Sequence, residues 1–296
     1  YKIPIVVHVM ETGNSLTTIT DQQIKDAIKA LNEKYRKIPN TNGDGNGVDI
    51  TIEFSLAVRD PNGNCTDGIN RFNLSGNATY MSDGVKRSTS GITDSELKSY
   101  ISWNQSKYYN IWLVSEIDNN EGGAGVQGYA FFATSHGASN DGAVILVNSF
   151  KDVNSNTTSH ELGHAFNLYH SFEGDQDANG NSQCPVNSDC SNDGDKVCDT
   201  PPHKRSNSDC VVGTNACDNN SSTANFIHNY MDYSSDVCAN EFTAGQKVRM
   251  LAALTINRAS FLESNGNLAL VPVVNPTMDF IPSAEYVCTN GTITIY

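Results

Sequence analysis

Eleven residues constrain this chain more than any other stretch: His160-Glu161-Leu162-Gly163-His164-Ala165-Phe166-Asn167-Leu168-Tyr169-His170. On a helix, residues four apart share a face, so His160 and His164 aim their rings at one point while Glu161 sits beside the first of them. His170 lies too far along a straight helix to reach the same point, so the chain must turn back before it. Asn167 is the expected place, because Asn tolerates the left-handed backbone region better than any residue but Gly. Three imidazoles and one carboxylate so spaced are what a catalytic zinc site needs. A lone H-E-x-x-H is a short pattern that ordinary surface helices also contain, and the third His at this offset removes most of those cases. Thr158 with Glu161 three residues later reads as a capping box that starts the helix, with Thr157 as an alternative cap.

The remaining composition narrows the class. A formal net charge of −14 leaves no basic stripe to neutralise phosphates, which argues against nucleic-acid binding. No apolar run approaches the length of a membrane span. The chain enters a strand-like run by Ile3, as expected of a mature end left after removal of a signal and a propeptide. Five of the eight cysteines fall between Cys184 and Cys217, in a loop-rich stretch without a C-x-x-C pair, so they read as disulfides of a secreted protein rather than as thiolate metal ligands. Cys65 and Cys288 stand apart from that cluster, and their partners do not follow from the sequence.

Along the chain, residues 3–10 alternate around β-branched side chains and predict a strand. Thr20 with Gln23 caps an amphipathic helix over 21–37, carrying Ile24, Ala27, Ile28, Leu31 and Tyr35 at helical spacing. Further strands are expected near 48–59, 109–117, 127–133 and 143–148, a short helix after Thr93, and the zinc helix over 158–167. Beyond it the pattern dissolves into Asn, Asp, Ser and Gly until Thr243 with Gln246 caps a last helix bearing Val248, Leu251, Leu254 and Phe261. The expected fold is α+β: a twisted mixed sheet with a backing helix and the zinc helix, above an irregular C-terminal subdomain, with a cleft between them. The expected divisions are 1–170, 171–262, and 263–296, a linker whose end from Val271 onward either resembles the start of an immunoglobulin-like module or is a plain C-terminal tail. The loop Asn42-Gly43-Asp44-Gly45-Asn46-Gly47 with Glu53 approaches an EF-hand template, but it starts with Asn and places Glu53 in a strand, so a turn is the favoured reading.

Downstream, Asn229-Tyr230-Met231-Asp232-Tyr233-Ser234 supplies a Met suited to form a soft apolar floor. With the histidine motif, this segment resembles the pappalysin family of metzincin metalloproteases. The likeness extends through Ile3-Pro4-Ile5-Val6-Val7-His8-Val9, Ile52-Glu53-Phe54, Asp60-Pro61-Asn62-Gly63-Asn64, Asn110-Ile111-Trp112-Leu113, Gly128-Tyr129-Ala130, Asp199-Thr200-Pro201-Pro202, Asp236-Val237-Cys238 and Phe242-Thr243. Metzincins carry Gly where this chain has Asn167, a mild departure. The resemblance implies a metzincin-like catalytic domain and a secreted zinc endopeptidase, with Met231 beneath the zinc ligands and Tyr233 assisting the transition state. It also implies disulfides Cys210–Cys238 and Cys190–Cys217, leaving Cys184 with Cys198, and structural calcium in the segment after the third His. For that ion the expected ligands are Glu173, Asp175, Asp195, Cys198 and Thr200, where hard oxygen donors suit calcium.

The expected chemistry has His160, His164 and His170 binding zinc, with a fourth position for a water whose pKa is brought toward about 7. Glu161 acts as general base and then passes the proton to the leaving amine. Protein or peptide substrates are expected to pair with an edge strand near 127–133, approached past Gly122, Gly123 and Gly125, and a monomer suffices. The competing reading is a zinc-stabilised, non-catalytic binding or adhesion module, which would have no use for Glu161 or Tyr233.

Overall fold

A computed structural model describes residues 1–123, 125–206 and 210–268. Cys288 and the segment read as the start of an immunoglobulin-like module lie outside the described residues. Strand β1 (Lys2–Glu11) is the spine of the sheet, and its near-continuous apolar run is what a strand covered on both faces requires. It pairs in parallel with β2 (Glu53–Leu56) along its first half, with β3 (Ile69–Asn73) along its second, and with β4 (Tyr109–Val114) on its other flank. Next come β6 (Ala143–Leu146), parallel to β4, and at the edge β5 (Gly128–Ala130), antiparallel to β6.

Two-residue alternation divides the sheet between two cores. Ile3, Ile5, Val7 and Val9 of β1, with Tyr109, Ile111 and Leu113 of β4, face one core; Met10, Trp112 and Val114 face the other. The first core receives α1 (Asp21–Tyr35), closed at its start by the predicted Thr20–Gln23 capping box and burying Ile24, Ala27, Ile28, Leu31 and Tyr35. The second receives α2 (Ala78–Asp83) and α3 (Asp94–Tyr100) through Tyr80 and Leu97. Helix α4 (Val147–Lys151) follows β6 directly, so the strand expected to reach 148 stops at Leu146. The reason is that Val147 and Phe150 bury together from a helical turn.

Helix α5 (Thr157–Ala165) carries the histidine motif. Its N-cap is Asn156, not Thr157 or Thr158, and no side chain caps it. Glu161 is drawn into the cleft instead of folding back. Asn156 ties the helix start to the lower half, donating from Nδ2 to the carbonyls of Asp236 (3.0 Å) and Ala239 (2.9 Å). Below α5, the described chain holds the two-residue strands β7 (Thr214–Asn215) and β8 (Ser221–Ser222) and a short 3-10 turn (Thr223–Asn225) before α6 (Ala244–Ala252). The predicted Thr243–Gln246 capping box starts α6, which continues as a π-helical turn over Ala253–Asn257. Val248 departs from expectation: it is 71% exposed, because Gln246, Met250 and Leu254 take the inward stripe. The Asn42–Gly47 loop is tightly packed, since a Cβ on Gly43 would lie 2.2 Å from the Glu33 carbonyl oxygen. Glu53 lies on β2 and pairs with Arg36 at 3.2 Å.

Cross-links hold the irregular half. Cys210 pairs with Cys238, as expected. The other pairings differ from expectation: Cys190 joins Cys198 and Cys184 joins Cys217. Consecutive turns through Asp189, Asp193 and Lys196 fold the chain back on itself and bring the Cα atoms of Cys190 and Cys198 within 4.9 Å. Cys65 is disulfide-bonded as well.

Candidate metal centre and active site

The site begins where α5 ends. Phe166 closes the helix, Asn167 takes φ 68°, and Leu168 N–H returns to the Gly163 carbonyl (2.9 Å), so the chain reverses at Asn167 and delivers His170 back over the helix. Asn167 does more than tolerate this backbone. Its side-chain oxygen accepts from Ala133 N–H (3.0 Å) and its carbonyl accepts from Arg249 Nε (2.6 Å), joining the turn to the upper half and to α6.

The ligand atoms of His160, His164 and His170 lie within 4.8 Å of one another, and among the described residues this is the group of His, Cys, Asp and Glu side chains arranged to hold a metal ion. His160 Nδ1 faces the Tyr230 carbonyl at 2.8 Å and His164 Nδ1 faces the Leu168 carbonyl at 2.7 Å. A carbonyl only accepts, so both Nδ1 atoms carry the proton and both Nε2 atoms present a lone pair. Burial, the largest effect, holds all three rings below the usual histidine range. His164 and then Arg205 take His170 further, to about 3, and the neighbouring rings lower His160. The three imidazoles are therefore neutral, with two anchored by their second nitrogen, as a zinc ion requires.

Glu161 is 7% exposed, and burial pushes its carboxyl up to about 8 against the pull of Arg87 and of the Ala130 amide. Strand β5 passes directly over it: a Cβ on Gly128 would stand 3.1 Å from Glu161 Cγ. Tyr233 brings its hydroxyl to 3.2 Å from His170 Nε2, and burial, followed by the Glu161 charge, raises it above the usual phenol range. It remains a protonated donor at neutral pH. Met231 is fully buried under α5, and a Cβ on Gly163 would stand 2.4 Å from its Sδ. Asn229 Oδ1 accepts from Met231 N–H (2.9 Å) and the Met231 carbonyl accepts from Ser171 N–H (3.1 Å), fixing this turn to the residue after the third His.

The acidic segment does not converge in the same way. Asp195 accepts from Val197 N–H (3.1 Å) and Thr200 Oγ1 (2.7 Å), with burial lifting it to about 6. Burial, then the charge of Asp175, raises Glu173. Asp175, expected among calcium ligands, has both oxygens paired with Arg205 at 2.7 Å each. The Cys198 sulfur is bonded to Cys190, leaving only its carbonyl oxygen as a donor. Arg205 escaped the sequence reading because its partner lies thirty positions away and no motif marks it.

Residues 91–255, more than half of the chain, match the M43 peptidase family described as pregnancy-associated plasma protein-A. An extracellular metalloprotease of Pyricularia oryzae is 30% identical over 268 residues, covering 87% of this chain and 76% of that protein. One from Sordaria macrospora is 34% identical over 165 residues, covering 52% of this chain and 50% of its own length. Among solved structures, mature mirolysin of Tannerella forsythia in complex with a cleaved peptide is 30% identical with a TM-score of 0.65, over 88% of this chain and 94% of that one. Mirolysin in complex with a compound designated 9 gives 28% and 0.67, over 88% and 95%. Sequence, fold and solved neighbours agree over the part of the chain that builds the histidine triad, and the chain belongs to the M43 peptidases, the pappalysin branch of the metzincin metalloproteases.

Proposed function

We propose that this protein is a zinc endopeptidase acting outside the cell on extended segments of protein substrates. The observation that carries the reading is the convergence of three neutral imidazoles with the buried Glu161 carboxyl directly beneath edge strand β5. His160, His164 and His170 are the residues that would hold zinc. Bound there, zinc supplies Lewis acidity that polarises a carbonyl and acidifies water, and its charge favours the ionised form of Glu161.

The chain's own groups then divide the work. β5 ends the strand order of its sheet, so its outer edge can pair with a peptide backbone and set the scissile carbonyl over the triad. Glu161 takes a proton from the attacking water and returns it to the departing amine. Tyr233 donates its hydroxyl to the oxygen of the tetrahedral intermediate. Secretion is supported by the disulfides and by the extracellular relatives. A non-catalytic adhesion module would leave both Glu161 and Tyr233 without a role at the triad. Casein digestion with and without a zinc chelator tests the function: cleavage that stops on chelation and returns with zinc supports it, and chelator-resistant cleavage or none at all refutes it.

Calcium belongs to the same proposal as a structural ion near Glu173, Asp175 and Asp195, with the Cys198 carbonyl and Thr200 as further oxygen donors. Support comes from the burial of the Asp195 carboxyl, which a cation would compensate.

A further inference from the structure

The short segment from His203 to Ser206 grips both structures that frame Tyr233. Arg205 donates from Nε and Nη2 to the two oxygens of Asp175, at 2.7 Å each, and from its backbone N–H to Asp175 Oδ2 at 3.1 Å. Its guanidinium carbon lies 4.9 Å from the centre of the Phe172 ring and 5.9 Å from that of Tyr233. Phe172 in turn stacks nearly parallel on His170 (4.8 Å, 5°) and meets Tyr233 at 63° with centres 4.7 Å apart. From the other side, Ser206 donates from its backbone and its hydroxyl to Asp232, whose Oδ1 also accepts the Tyr233 N–H at 2.8 Å. His203 stands 3.7 Å from the same carboxylate and stacks on Phe226.

We propose that Arg205, fixed by Asp175, is a positioning residue for Tyr233. It holds the phenol ring against Phe172 so that the hydroxyl points at the position of the developing oxyanion. The arrangement is more specific than an ion pair kept for stability. The Arg205 side chain is 39% exposed and that of Asp175 6%, so the pair is part-buried and also contributes to folding, but stability alone does not call for its geometry. A two-pronged fork with a flat face against aromatic rings fixes orientation, and lysine has neither the fork nor the face. Tyr233 is itself 44% exposed, so its orientation needs a support other than burial in a core.

This inference rests on the reading of Tyr233 as the oxyanion donor, and a double-mutant cycle separates the two. The zinc-loaded parent, Tyr233→Phe, Arg205→Met, Arg205→Lys and Arg205→Met with Tyr233→Phe are compared for kcat, KM, zinc per chain and melting temperature. Loss of one oxyanion donor is worth about 10²–10³-fold in kcat, and misplacing it loses part of that, so Arg205→Met should cost on the order of 10-fold. KM should stay within about twofold, zinc should be retained, the melting temperature should fall because the buried Asp175 loses its partner, and Arg205→Lys should fail to rescue kcat. In the Tyr233→Phe background, Arg205→Met should add less than about twofold. The near-ultraviolet circular-dichroism contribution of Tyr233, taken as parent minus Tyr233→Phe, should weaken in the Arg205→Met background. Full additivity, an effect on KM alone, or rescue by lysine overturns the positioning role while leaving Tyr233 in place. An unchanged kcat for Tyr233→Phe overturns the oxyanion reading and the inference with it. Should Arg205→Met fail to fold, Asp175→Asn completes the same cycle.

Discussion

Replacing Gly163 by Ala sets two known effects against each other and reads out the contact between α5 and Met231. In an open helix the change stabilises by about 1 kcal/mol, because Ala lacks the backbone entropy cost of Gly. Here the new Cβ would stand 2.4 Å from Met231 Sδ and 3.2 Å from its Cε. Comfortable heavy-atom contact is about 3.5–4.0 Å, so the sulfur must retreat by roughly 1 Å or more. It has little room to do so, since Met231 is fully buried and its backbone is fixed by Asn229 and Ser171. Overpacking of this kind costs about 1–3 kcal/mol, which set against the helical gain of about 1 kcal/mol leaves a net loss of about 0–2 kcal/mol, nearer the upper end because the sulfur has so little room. For a chain of this size that is a fall of up to about 3 °C in melting temperature. The assay is thermal unfolding of the zinc-loaded protein, with Gly163→Ala also placed in a Met231→Ala background. Removing the clash should restore the helical gain there. A higher melting temperature for Gly163→Ala in the parent would refute the packing of Met231 against the zinc helix.

Three further outcomes follow from buried charges. Arg258 is fully buried, pairs with Asp141 at 2.6 and 2.8 Å, and bonds the Ala165 carbonyl at the end of α5, so Arg258→Met should cost about 3–5 kcal/mol by stranding Asp141. A loss below 1 kcal/mol in denaturant unfolding would contradict this. Burial pushes His8 from 6.5 down to about 4, so the folded state keeps it neutral while the unfolded chain takes up a proton below 6.5. Its stabilisation is complete above pH 6.5 and falls away by about 3 kcal/mol as the pH drops toward 4, so His8→Asn should flatten that limb of the stability profile; parallel profiles would count against it. Calcium-selective chelation should lower the melting temperature and speed cleavage between Glu173 and Thr200 while zinc stays bound. Unchanged melting and protease resistance would remove calcium from the account.

What could be read from the sequence was what neighbouring residues decide. The alternation in β1, the capping boxes at Thr20 and Thr243, and the spacing of His160, His164 and His170 depend on contacts within a turn or two. The left-handed turn at Asn167 follows from the same local logic, and the structure gives it φ 68°. Where distant groups compete, local reading failed. Thr158 and Glu161 carry the letters of a capping box, yet Glu161 is claimed by the cleft and Asn156 by the carbonyls of Asp236 and Ala239. Nothing near Asp175 in the sequence marks its partner either, and only the fold brings Arg205 to both its oxygens. β3, with its polar Ile-Asn-Arg-Phe-Asn sequence, has no strand signature of its own and is a strand because β1 offers it an edge. The disulfide partners within the irregular half likewise depend on turns that composition does not encode.

The central claim is that Glu161 performs acid–base chemistry at a zinc ion held by His160, His164 and His170. Peptide turnover by Glu161→Ala, measured at verified zinc content, tests it most directly. The account predicts that the variant keeps its zinc, because the three imidazoles are untouched, and loses about 10²–10⁴-fold in turnover, the usual contribution of a positioned acid–base. Activity within tenfold of the parent, at equal zinc content, would contradict it.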